Sequence, residues 1–150
     1  HADSLSGNYY DPEVAAEIAK IADKRTVRMI DHYTALTPVN DGFEVGMTYA
    51  NYNINVYTKN PQRYIQELAE YQAAANENGF EDVTLGAFEI NSGDYTGQIM
   101  VVIQAPTAVR LGEFFDAGEE AWNVAASAKF PKLRKLKRGF LMTCEIVYAR

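Results

Sequence analysis

The chain has 150 residues, 47% hydrophobic and 23% charged, with a net charge of −6. That is the make-up of one globular domain with a core, and it excludes a disordered chain. Six bases and no acids lie between 129 and 138, which leaves 14 − 6 = 8 bases against 20 acids elsewhere; a phosphate backbone would meet a mostly acidic surface, so no nucleic-acid partner is expected.

The first residues, 1–10, read as a polar arm. His1-Ala2-Asp3-Ser4 carries no initiator Met, as expected of a cleaved leader or a tag remnant. With the Tyr- and Asn-rich, Cys-poor composition this fits a periplasmic or secreted protein. Asp11-Pro12-Glu13 then opens a helix: an N-cap, a proline at the first position and an acid in the first turn. Val14, Ile18, Ile21, Ala22, Met29, Tyr33 and Leu36 recur at helical spacing, so the helix is expected over 11–36. Lys24-Arg25-Thr26 weakens the stripe and is a place for a break.

Residues 43–58 read as a strand, with Gly46 at a bulge or bend. Asn60-Pro61 starts a helix with Tyr64, Leu68, Tyr71 and Ala75 on one stripe, and Asn78-Gly79 closes it. DVTLGAFEI (82–90) and YTGQIMVVIQ (95–104) read as strands joined by the turn Asn91-Ser92-Gly93-Asp94. Thr107 caps a helix whose stripe is Leu111, Phe114, Phe115, Gly118, Trp122 and Ala125. The basic segment connects it to a last strand, GFLMTCEIVY (139–148). A core of about 43–150 joins the helix in a single α+β domain spanning 11–150. The aliphatic run Ile99–Ile103 is far shorter than the roughly 20 residues of a membrane span. Cys144 is alone, which rules out an intrachain disulfide, and reads as an inert strand thiol.

From residue 48 onward the order is strand, helix, strand, strand, helix, strand. This is the ferredoxin-like βαββαβ arrangement, an antiparallel sheet with both helices on one face. In YANYNINVY (49–57), Tyr52, Ile54 and Val56 alternate with Asn51, Asn53 and Asn55. The aliphatic set suits the helices, so the amides should point to the other face. By parity we place Gln98, Thr143 and Glu145 on that face, with Tyr57 at its end and Met100, Val102 and Val147 between. The second strand contributes either Thr84, Gly86 and Phe88 or their neighbours. A face this mixed suits an enclosed cavity, formed with a second copy or under the first helix.

The element order resembles the dimeric α/β-barrel superfamily, which includes antibiotic-biosynthesis monooxygenase-like, EthD-like and NIPSNAP-like domains. The resemblance covers about two-thirds of the chain and rests on element pattern alone. It implies a homodimer and a small-molecule site, with monooxygenase- or isomerase-like activity. The His-rich haem and metal patterns of some members are missing, since His1 and His32 are the only histidines; no cofactor and no metal is expected. Glu145 or His32 would serve as base. Asn51, Asn53, Asn55, Tyr57, Gln98 and Thr143 would contact the ligand. Against these stand a structural carboxylate at Glu145 and an outward-facing His32. The alternative function is a non-catalytic homo-oligomeric module in which the polar face is a subunit contact. Glu113, Asp116 and Glu120 read as a solvated acidic face.

Overall fold

In a computed structural model, residues 12–20, 32–38 and 44–146 are described. The chain forms two compact units, 1–30 and 31–150. The first contains helix α1 (Pro12–Ala19), with Glu13 in its opening turn; the expected continuation over 21–31 lies outside the described residues. In the second unit the elements run β1 (Tyr33–Ala35), β2 (Thr48–Tyr57), α2 (Pro61–Glu77), β3 (Thr84–Ile90) and β4 (Ile99–Ala105). They continue with α3 (Ala108–Asp116), a 3₁₀ turn (Ala117–Glu119), α4 (Ala121–Ser127), α5 (Phe130–Leu133) and β5 (Lys135–Glu145).

The five strands form one antiparallel sheet in the order β1-β3-β4-β2-β5. Without β1 this is the ferredoxin-like topology, α+β, with α2 crossing from β2 to β3 and α3–α5 crossing from β4 to β5. The helices bury one face of the sheet. Ala50, Ile54 and Val56 of β2 and Val101 of β4 join Tyr64, Leu68, Leu111, Phe114 and Phe130 in one core. Tyr71 meets Phe114 and Phe130 edge-on, with ring centroids 6.1 and 5.6 Å apart, a favoured aromatic geometry.

Local chemistry explains the ends of these elements. Asn60 Oδ1 accepts the Arg63 amide N–H at 3.1 Å, and Pro61 follows it as the first helical residue. Asn78 caps the other end and Gly79 takes φ 84°, a backbone state that costs glycine little. Thr107 caps α3 through the Arg110 N–H at 3.1 Å.

Four expectations need correction. Tyr33–Ala35 is a strand and not the end of a helix: it pairs with Ile90, Glu89 and Phe88. Ladder pairing satisfies its backbone, and β-favouring Tyr and Thr suit it, although Tyr33 and Leu36 fit a helical period by chance. Residues 95–98 belong to a turn, because Gly93 and Gly97 adopt φ of 92° and 80° and reverse the chain. The helix from Thr107 breaks at Ala117–Glu119 into α3 and α4. Finally, β5 starts at Lys135, so residues 135–138 of the basic segment are strand. A bulge there leaves Lys137 without a partner, between the pairs Asn55–Arg138 and Val56–Leu136.

Candidate functional site

The face of the sheet away from α2–α5 carries the amides. Asn51 stands between Gln104 and Met142, Asn53 between Val102 and Phe140, and Asn55 between Met100 and Arg138. Thr84, Gly86 and Phe88 of β3 extend the same face, opposite Gln104, Val102 and Met100. The register of β3, open from sequence alone, is thereby set. Tyr49 and Cys144 pair at the other end of the row.

The amides are buried in spite of facing away from the core. Asn51 is 7% exposed and Asn53 and Asn55 are each 3% exposed. Asn51 Oδ1, Asn53 Nδ2, Asn55 Oδ1 and Gln98 Oε1 are buried and have no hydrogen-bond partner. An unpaired buried polar group costs about 1–3 kcal/mol. Four of them weigh heavily against the roughly 5–15 kcal/mol net stability of a domain. Leucine would avoid that cost, so stability alone does not account for asparagine here.

A concavity of about 530 Å³ lies along this row. Asn51, Asn53, Thr84 and Gln104 supply its polar groups, and Phe88, Met100, Val102 and Met142 most of its apolar wall. Among the described residues that line it there is no Asp, Glu, Lys, Arg or His, and the ionisable side chains are those of Tyr49 and Cys144. Burial, and secondarily the neighbouring Cys144, push the Tyr49 phenol above its ordinary value, so at neutral pH it is a neutral hydroxyl.

The other end of the row is arched over. Arg138 lies 5.5 Å from the Tyr95 ring centre and 4.7 Å from that of Phe140, and its Nη1 donates to Tyr95 Oη at 3.3 Å. Tyr95 comes from the β3–β4 turn and Phe140 from β5, so this stack spans β4 and β2, on the side where Asn55 is buried.

No protein-family model matches the chain, and no curated protein sequence matches it. Two crystal structures share part of its path. One is a conserved protein of unknown function from Bacteroides thetaiotaomicron, described as a possible oxidoreductase. It is 18% identical, with a TM-score of 0.41, over 69% of this chain and 100% of its own. The other, from Bacteroides fragilis, is described as dimeric, of unknown function and with a ferredoxin-like fold. It is 8% identical, with a TM-score of 0.41, over 69% of this chain and 100% of its own. Likeness this distant carries nothing about chemistry.

Of the residues expected from sequence to form the site, the structure gathers Asn51, Asn53 and Asn55 on one face, while Gln98 directly precedes β4 with its Oε1 buried. Thr143 and Glu145 are not with them. They stand opposite Ala50 and Thr48, on the helix-facing parity of β5. Both parities of β5 carry apolar residues, so its pattern did not fix its face, and a one-residue shift exchanges the two sets. His32 is exposed beside β1, where its backbone N–H donates to Ser92 Oγ at 3.0 Å. It stands at one edge of the sheet and Glu145 at the other. Four strand spacings alone separate them by about 19 Å across the sheet, and they also lie at opposite ends of β2, too far to share a proton. Tyr57, opposite Lys135, borders a separate concavity with Lys59 and Asn60. Sequence reasoning set Tyr49 beside the row, but missed Cys144, Met142 and Arg138 as its neighbours. Their even-numbered or odd-numbered parity was legible, but not which parity faced the amides.

Among the described residues no group of three His, Cys, Asp or Glu gathers as a metal site, and no helix is long and apolar enough to cross a membrane. Of the acids on α3 and its continuation, Glu113 pairs with Arg110, and Glu120 accepts from Trp122 Nε1 at 2.7 Å.

Proposed function

We propose that the concavity beside Asn51 and Asn53 binds a small molecule with an apolar body and polar groups that meet the amides. The observation that carries this reading is the buried row of amides without internal partners, set against an apolar wall. Such a mixture, a few placed polar groups in an apolar hollow, is what ligand sites are made of. A half-turn of an Asn side chain exchanges its oxygen and nitrogen, so each amide can meet a carbonyl or a hydroxyl. Binding is favoured over monooxygenase- or isomerase-like catalysis. Glu145 and His32 lie away from the hollow, and the ionisable groups among its described lining residues are a thiol and a phenol.

The test is Asn51→Leu/Asn53→Leu. The variant should melt higher than the wild type, because buried unpaired amides are removed, and should bind the neutral, carbonyl-bearing dye Nile red differently in affinity and emission. A variant that melts lower and leaves dye binding unaltered would refute the reading.

A homodimer is the second reading, favoured by β5. This eleven-residue edge strand leaves Leu136, Leu141 and Met142 exposed, and unpaired edges recruit other strands. Leu141 also borders an apolar hollow of about 320 Å³ with Leu111 and Phe115 of α3.

A further inference from the structure

We infer that the ligand of the amide row carries an acidic head, a carboxylate, and that Arg138 receives it. This rests on the small-molecule reading above and adds the charge class of the ligand.

Of the described guanidinium groups of the domain, Arg110 and Arg63 pair with carboxylates, whereas Arg134 and Arg138 rest on aromatic rings. Arg110 is saturated by both oxygens of Asp82, by Glu113 and by the Gly79 carbonyl. Arg63 pairs with the buried carboxylate of Glu67. Arg134 gives Nη1 to Tyr64 Oη at 2.7 Å and lies against the Tyr64 and Phe130 rings, but it borders the helix-covered core with Ile54, Leu68 and Tyr71 and is away from the amide row. Arg138 gives one N–H to Tyr95 and rests against two rings, and among the described residues no carboxylate pairs with it. A guanidinium has five donors, so most of this fork is uncommitted. Aromatic stacking holds it in place without neutralising it.

Its position relates it to the hollow. Arg138, Phe140, Met142 and Cys144 share one parity of β5, and the last two line the concavity. Arg138 leans back over Phe140, which stands opposite Asn53, a lining residue. None of the described residues that line the hollow carries a fixed charge, and Arg138 puts a positive group at its end. From Asn51 to Asn55, level with Arg138, the row is about 14 Å long at about 3.4 Å per residue. An extended chain molecule with a hydroxyl at one end and a carboxylate at the other spans it. The planar fork and single charge match a carboxylate held by two parallel hydrogen bonds.

The test compares ω-hydroxydodecanoate with the neutral ω-hydroxydodecanamide as competitors for Nile red. In the wild type the acid should compete better by about tenfold or more, as charge-assisted hydrogen bonds imply. Arg138→Gln should bring that ratio close to one, and Arg138→Lys, which keeps the charge and loses the fork, should give an intermediate ratio. Thermal melting of each variant reports that it is folded. Equal competition by acid and amide in the wild type overturns the inference, as does a preference that survives Arg138→Gln; either leaves the amide-row reading standing. Failure of both compounds to displace dye that Asn51→Leu/Asn53→Leu also ignores overturns both.

Discussion

Tyr52 lays its hydroxyl over Gly139, 2.5 Å from where a β-carbon on that glycine would stand. Gly139 lies opposite Ile54 on β2, on the face the helices cover, and Tyr52 packs edge-on against Phe115 of α3 at 5.3 Å. The ring is therefore held from above while the strand passes beneath it. Gly139→Ala should destabilise the domain by about 1–3 kcal/mol through overpacking. Chemical denaturation measures this, and Tyr52→Leu in the same chain should recover part of the loss. A neutral Gly139→Ala would show that the ring has room to move.

Glu67 is a buried carboxylate on α2, ion-paired with Arg63 and with Lys129 Nζ at 2.9 Å. Either base can compensate it while the other is removed. Arg63→Ala and Lys129→Ala should each be mild. Together they leave an unpaired buried charge, for which about 3 kcal/mol is expected, more than the sum of the single effects. A double-mutant cycle in urea gives the coupling, and strict additivity would contradict it.

Asp82 accepts from Arg110 Nε at 3.0 Å and Nη2 at 2.9 Å, and these hydrogen bonds hold its carboxyl below its ordinary value of 3.8. A carboxyl depressed in the folded state adds stability above its unfolded value. That stability is lost as pH falls from about 3.8 through the lowered folded value. Asp82 is partly exposed, so the contribution is small. Melting temperature followed below pH 5 should fall less steeply in Asp82→Asn than in the wild type; parallel curves would remove Asp82 from the acid response.

Leu141 is 66% exposed at the sheet edge. If β5 joins two copies, Leu141→Lys should shift sedimentation toward the single-chain mass and leave the melting temperature of dilute protein within a few degrees. Unchanged sedimentation would place any subunit contact elsewhere.

The topology was legible because each element of the βαββαβ order carries its own local signal. Asn60-Pro61 and Thr107 begin helices where capping chemistry puts them, and Ile54 and Val56 face the helices as their alternation requires. The amide face of β2 was legible for the same reason. What sequence did not reveal was pairing across strands. Cys144, rather than Glu145, lies beside Tyr49 because of register, and register depends on the partner strand as much as on β5 itself. Tyr33 went astray because three residues of strand leave no period to read. Arg138 was counted within a basic segment, where nothing local marks it as the base whose side chain two aromatic rings would hold.

The surplus residue in β5 has a consequence for what substitution can and cannot do. Across it, Leu136 stands with Val56 and Arg138 with Asn55, on opposite sides although they are two positions apart. Lys137 thus matters for occupying a place in the count, whatever side chain it bears. Almost any amino acid should be accepted there, whereas deleting it would turn either the leucine or the arginine to the wrong surface.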